Sequence, residues 1–197
     1  MRAHLVNWQN IHKKGDLWIK HHQLRYDAFV DRQHWTVPSH EKLEWDQYDT
    51  PRAQYVLIEH NNACVAACRL ISTIYPYMIE EVFPNFLPYE VPKTESVWET
   101  TRFVVDASLT PDLRRVALGE LIIAVQQFGL DHNLDRFVAV MAVPMFKRAL
   151  VRNGVDLDIH VDRACLIDNK NTTAADVYIS QATIDYIREN ISGKMVA

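Results

Sequence analysis

Residues 136–143 run Arg-Phe-Val-Ala-Val-Met-Ala-Val, one charge followed by seven apolar side chains. The run is far too short to span a membrane, and it lacks the alternation of a strand with one wet face. It reads as a strand covered on both sides. A cover is available on either flank. Thr110-Pro111-Asp112 opens a helix, with Thr as N-cap and Pro at the first helical position, and this helix runs to about Leu130. After the strand, 144–153 reads as a short helix ending at Gly154. A strand over 96–106 precedes the long helix, so strands and helices alternate and the fold class is α/β.

Upstream, Leu17, Trp18, Leu24, Ala28 and Phe29 recur at helical spacing within 15–33, which places Arg25 on a helix among aromatic residues. The stretch 33–51 has no period and reads as a long loop, a length that suits a cover over a site; it is taken as a substrate lid. Segments 54–59 and 63–73, rich in Val, Ile, Tyr and Cys around His60-Asn61-Asn62, read as a hairpin with Arg69 in its second strand. Pro76, Pro84, Pro88 and Pro92 break up the next segment and leave room for one short helix over 78–82. Strands around 155–163 and 173–179 and a helix over 181–191 complete the reading. No Pro/Gly/Ser-rich linker or repeat divides the chain, so 1–197 is expected to be a single domain.

A net charge of −4 supplies no global attraction to nucleic acid or anionic lipid, and neither is expected as a partner. Cys64, Cys68 and Cys165 have no framework spacing and the first residues lack a signal-peptide core, so a reduced, cytoplasmic location is expected. His60, Cys64 and Cys68 have a metal-like spacing but no fourth ligand, and no metal site is expected.

The chemistry concentrates in a few charges set among apolar residues: Arg25, then Glu44-Trp45-Asp46-Gln47-Tyr48-Asp49, then Arg69, then Glu99-Thr100-Thr101-Arg102-Phe103. Buried singly they would be costly, so they must pair with one another or meet a charged ligand. Both readings stand on the residues alone.

The order helix, long loop, hairpin, strand, helix, strand, helix resembles the GNAT acyltransferases. This implies a three-layer sandwich whose mixed central sheet has two splayed parallel strands. Within that class Arg25, Phe29, Trp35, Glu44, Asp46, Asp49, Arg69, Phe83, Glu99 and Arg102 resemble the near-invariant set of the acyl-homoserine-lactone synthases, over about 25–154. The resemblance implies transfer of an acyl chain from acyl carrier protein, or from coenzyme A, to the amine of S-adenosylmethionine. Lactonisation with release of methylthioadenosine would follow, giving a quorum-sensing signal. Both compounds are substrates, so no cofactor is expected.

Carried onto this chain, the resemblance makes Glu99 and Arg102 catalytic, Glu99 as base for the amine. Arg25, Phe29, Trp35, Glu44, Asp46, Asp49 and Arg69 would bind S-adenosylmethionine, with carboxylates and aromatic faces toward its cations and Arg25 or Arg69 toward its carboxylate. Phe83, Thr100, Thr101, Phe103, Met141, Ala142 and Val143 would line the acyl pocket. Members making 3-oxo products carry a Thr where this chain has Val140-Met141-Ala142-Val143, which favours an unsubstituted chain. Arg114, Arg115, Lys147 and Arg148 would meet the pantetheine phosphate or an acidic carrier. Glu99 and Arg102 point oppositely in a regular strand, so a β-bulge is expected between Trp98 and Phe103. Two other readings compete: an N-acyltransferase of the same fold acting on a different amine, and a non-catalytic homologue that binds acyl carriers.

Overall fold

A computed structural model describes residues 1–192. By internal packing the chain divides into two compact units, one of Met1–Leu70 with Arg102–Ala124, the other of Ile71–Thr101 with the chain from Val125 onward.

The first unit starts with a strand that the residue pattern does not announce, β1 (Arg2–Asn7). Its only fully buried side chain is Val6, so it shows almost no alternation along the sequence. Helix α1 (Asp16–Tyr26) comes next and buries Leu17, His21, His22, Leu24 and Arg25. Two histidines and an arginine on that inner face already mark it as more than a packing surface. The chain then continues as a π-helical stretch, Asp27–Arg32, which buries Ala28 and Phe29. Local widening of this kind recurs at functional sites.

The 33–51 stretch is less irregular than expected. It contains a two-residue ladder between β2 (Ser39–His40) and β3 (Leu43–Glu44). Glu41 and Lys42 turn it with φ of 49° and 61°, the two left-handed positions of a tight hairpin. The sequence carries no Gly or Asn there to announce it. The expected hairpin forms from β4 (Gln54–His60) and β5 (Ala63–Ser72), turned by Asn61 and Asn62 at φ of 49° and 62°. β1 pairs antiparallel with β4, from Arg2 opposite Glu59 to Asn7 opposite Gln54.

In the second unit α2 (Met78–Val82) forms where the prolines permit. β6 (Val97–Val105) begins here and leads to α3 (Pro111–Asp131), which starts at the expected Pro111. β7 (Arg136–Ala142) runs parallel to β6, with Val97–Thr100 in register against Arg136–Ala139. The expected strand ends one residue early. Val143 instead opens α4 (Val143–Met145), because Pro144 is favoured in a first helical turn and unfavourable in a central strand. A π-turn and a 3₁₀ turn carry the chain to Gly154, whose φ of 75° is the expected left-handed stop.

The expected strand over 155–163 shrinks to β8 (Leu157–Ile159), and 161–163 is a 3₁₀ turn. β9 (Cys165–Ile167) has no counterpart among the expected strands; it turns into β10 (Lys170–Tyr178) through Asp168-Asn169, both left-handed and both residues suited to a turn. β10 pairs antiparallel with β7, β8 and β9. Gln126 of α3 donates to Tyr178 O and accepts from Ser180 N, tying the helix to the end of β10. A Cβ at Gly129 would lie 2.6 Å from Ile179, so glycine allows that close approach. Helix α5 (Gln181–Ser192) closes the described chain with Thr183, Ile184 and Ile187 on its buried face. Among the described residues no helix is long and apolar enough to cross a membrane.

Candidate active site

Three arginines and three carboxylates meet inside the first unit. Arg25 donates from Nε to Glu44 Oε2 at 2.5 Å and from both Nη atoms to Asp49 at 2.9 and 2.7 Å. Arg69 grips Asp46 with both Nη atoms at 2.5 and 3.1 Å, and its Nη1 lies 3.0 Å from Asp49. Arg102 donates to Glu44 Oε1 at 3.0 Å and to Asp46 Oδ2 at 2.6 Å. Formal charges cancel, so the group can be buried. Forked guanidinium contacts also fix direction as well as distance.

The carboxyls respond accordingly. Burial raises the pKa of Asp49, but the hydrogen bonds and charge of Arg25, and then Arg69, outweigh it and hold the group well below the usual carboxylate range. At Asp46 burial is likewise outweighed, by Arg69 and then Arg102. Both remain anions at any working pH.

Of the seven residues that the resemblance gives to S-adenosylmethionine, the structure brings all the charged ones together with Arg102 in one cluster. Trp35 stacks on Phe29 with ring centroids 4.9 Å apart and planes 9° apart, and the Arg102 guanidinium lies 5.6 Å from the Phe29 centroid. The part of 33–51 over 44–49 is therefore anchored in the cluster instead of forming part of a free loop.

Residues outside the expected set support it. Tyr55 on β4 donates to Asp49 Oδ1 at 2.8 Å, and burial, then the Asp49 charge, push its phenol pKa upward. His22 Nδ1 meets the Glu44 carbonyl at 2.7 Å, so its N–H holds the backbone where that carboxylate leaves the chain. A lone tyrosine in a strand and a histidine on a helix face carry no motif, so the sequence offers no signal for either.

His21 and His22 pack ring to ring, 3.9 Å apart, beside Trp18. Burial, the neighbouring histidine and Arg25 lower the pKa of His21 well below its ordinary value; burial and Arg25 lower that of His22. His21 Nε2 has no hydrogen-bond partner. Both rings are thus neutral in the folded state, whereas in the unfolded chain they take protons as pH falls through about 6.5. Stability should be fully present above that pH and fall below it, by up to about 1.4 kcal/mol per pH unit for each ring until its folded pKa is reached. Denaturation of His21→Phe between pH 7 and 5 should show a flatter slope than wild type; equal slopes would show that His21 is not the source.

In the second unit Glu99 is fully buried on β6 and accepts from the backbone N–H groups of Met78 and Ile79 at 3.1 and 2.7 Å. These are the first amides of α2, free of helical partners and favourable toward an anion. β6 then departs from regularity. Val97, Glu99 and Thr101 are buried, the next buried residue is Val104, and between them Arg102 has φ of 53°. A left-handed residue inside the strand and a shift in its alternation break the regularity of β6 where a bulge is expected.

The acyl-pocket set is distributed more widely. Thr101 shares a face of β6 with Glu99, while Thr100 lies on the other with Trp98. Phe83 stacks on Phe86 just after α2. Met141 and Ala142 are half-buried at the end of β7, and Val143 lies beyond the strand; Phe103 follows Arg102 in the other unit. Arg114 curls back onto the carbonyls of Ala107 and Leu109, and Arg115 lies 3.6 Å from Asp112. Lys147 and Arg148 are exposed on the π-turn after α4.

The autoinducer synthase family model matches residues 9–187. The chain belongs to the autoinducer synthase family. Isovaleryl-homoserine lactone synthase of Bradyrhizobium diazoefficiens is 32% identical to this autoinducer synthase over 195 residues, covering 95% of this chain and 84% of its own. The solved structure of a CoA-dependent acyl-homoserine lactone synthase, BjaI, with SAM and isopentyl-CoA is 30% identical, with a TM-score of 0.85 over 96% of this chain and 89% of that one. An acyl-CoA N-acyltransferase from Pseudomonas aeruginosa, 13% identical with a TM-score of 0.58 over 89% of this chain and 99% of its own, shares the fold alone. The autoinducer synthase is thus an acyltransferase of GNAT-like α/β fold.

Proposed function

We propose that this chain makes an acyl-homoserine lactone from S-adenosylmethionine and an acyl thioester of carrier protein or coenzyme A, with no further cofactor. The observation that carries the reading is the buried cluster of Arg25, Glu44, Asp46, Asp49, Arg69 and Arg102, held in one unit beside the Phe29–Trp35 stack. The relative solved with SAM and an acyl-CoA supports it.

The amine of S-adenosylmethionine must first lose a proton, since an α-amino group has a pKa of ~8. Glu99 takes it, directly or through water. The free amine attacks the thioester carbonyl, an amide C–N bond forms, the C–S bond breaks and the thiol leaves. The substrate's own carboxylate then attacks its γ-carbon; the Cγ–S bond breaks and its electrons neutralise the sulfonium, giving lactone and methylthioadenosine.

Arg25 and Arg69 are saturated by the chain's own carboxylates, so they act by orienting Asp49 and Asp46 toward the substrate's cationic end. Arg102 is the least buried of the three guanidiniums and is the one that meets the substrate carboxylate. Arg115, Lys147 and Arg148 receive the donor's phosphate or an acidic carrier; Arg114 contributes less because it already serves its own loop. Three free cysteines suit a cytoplasmic location.

The test is direct. Purified protein supplied with S-adenosylmethionine and acyl donors should release methylthioadenosine and an acyl-homoserine lactone in equal amounts. Acylated amine without methylthioadenosine would favour an acyltransferase for another amine; no acyl transfer to any donor would leave only a binding role.

Both the lid and the acyl pocket can be tested in the same protein. The exposed part of 33–51, before Glu44, is the portion free to close over substrate, so its amides should exchange more slowly at saturating S-adenosylmethionine. Unchanged exchange there would exclude a lid. In the acyl pocket, a buried 3-oxo group without a donor costs ~1–3 kcal/mol, a roughly 5- to 150-fold preference for the plain chain. Competition between matched acyl and 3-oxoacyl donors measures it, and a preference for the 3-oxo donor would show that the lining was misassigned.

A further inference from the structure

A second buried carboxylate in the Ile71–Thr101 and Val125 unit has no place in the reaction scheme. Asp176 on β10 is 5% exposed and accepts from the Tyr89 hydroxyl, from Arg136 Nε at 2.7 Å and from His160 Nε2 at 3.1 Å. The Tyr89 ring is packed between its co-donors, 5.5 Å from the Arg136 guanidinium and edge-on to His160 at 5.9 Å.

Strand register places this group relative to Glu99. Glu99 lies opposite Val138, and Val138 lies opposite Asp176. Laterally aligned residues project from the same face, so Glu99 and Asp176 leave one sheet face two strands apart, roughly 10 Å. Each holds one end of the same short segment: Glu99 binds the amides of Met78 and Ile79, and Asp176 binds Tyr89. Between these ends lie Phe83, Phe86 and Leu87, and the segment is braced further by Tyr77 donating to Pro92 O at 2.8 Å and by Lys93 on Glu80 at 2.6 Å.

We propose that Tyr89 and Asp176 are a positioning pair: they clamp the far end of the 78–89 segment to the sheet, and so set both the position of Phe83 for the acyl chain and the amides that orient Glu99. The proposal rests on the synthase reading. A sole role in strand packing would not require it, since an apolar residue fills a central strand position without burying a charge. A tyrosine hydroxyl reaching that charge from a loop ties loop position to sheet position, which packing alone does not.

Tyr89→Phe removes one hydroxyl and keeps the ring against Arg136 and His160. The folded variant should show an about tenfold higher KM for the acyl donor, with KM for S-adenosylmethionine unchanged, because a lost hydrogen bond to a charged group is large enough for that factor. Exchange at Met78 and Ile79 should quicken. Asp176→Asn keeps an acceptor for the hydroxyl but not the charge, and should raise KM for the acyl donor by less than Tyr89→Phe does. Asp176→Val should match Tyr89→Phe, and the double variant should be no worse than the weaker single one; if Asp176→Val fails to fold, Tyr89→Phe against Asp176→Asn carries the test. Wild-type acyl-donor KM in folded Tyr89→Phe, or equal loss with both substrates, overturns the clamp. Failure of wild-type protein to form any lactone overturns the synthase reading instead.

Discussion

Glu99→Gln is expected to lower methylthioadenosine release by about 10²-fold or more in a protein that stays folded. The carboxyl group is buried, and two backbone amides hold it in one orientation. Glutamine is the same shape but cannot accept the amine's proton. Its amide nitrogen would also face Met78 or Ile79 as donor against donor, so some local loosening of α2 accompanies the chemical loss. Circular dichroism and S-adenosylmethionine binding separate the two: binding near wild type with turnover lost assigns the effect to proton transfer. Near-normal release from a folded variant would remove Glu99 from the reaction.

Arg25→Met should cost about 3–5 kcal/mol of stability, because it leaves Glu44 and Asp49 buried with one of their cations gone. A domain of this size has some 5–15 kcal/mol in total, so the variant would be close to unfolding at growth temperature. Arg102→Met provides the contrast. It is the more accessible partner, and Arg25 and Arg69 still neutralise Glu44 and Asp46, so urea denaturation should show a smaller loss while activity falls at least as far. Equal destabilisation by both would mean that Arg102 is only a structural member of the cluster. The acid limb offers an independent check. Asp46 and Asp49 have lowered folded pKa values, so their contribution is present above about pH 4 and lost as pH falls through the folded values.

The elements that were legible are those with local causes. Thr110 and Pro111 start α3 where their backbone preferences put them, Gly154 stops the turn after α4, and Asn61-Asn62 folds β4 onto β5. The apolar run at 136–142 is a strand because its side chains need cover on both faces. β1 escaped because one buried valine leaves no period to read, and β2–β3 because Glu41 and Lys42 adopt left-handed backbone without the residues that favour it. The π-helical stretch 27–32 has no sequence mark either.

The sequence by itself determined which charges must be compensated: seven charged side chains among aromatic and β-branched neighbours have no stable buried state unless they find opposite charge or hydrogen-bond donors. It could not say which carboxylate each arginine would take. Arg25 reaches Asp49 across 24 residues, Arg102 reaches Glu44 across 58, and Tyr89 reaches Asp176 across 87. Such partners meet only after strands have paired in register and Arg102 has taken its left-handed backbone. Local preference acts over a few residues, whereas pairing of charges is decided by where the folded backbone brings the chain together.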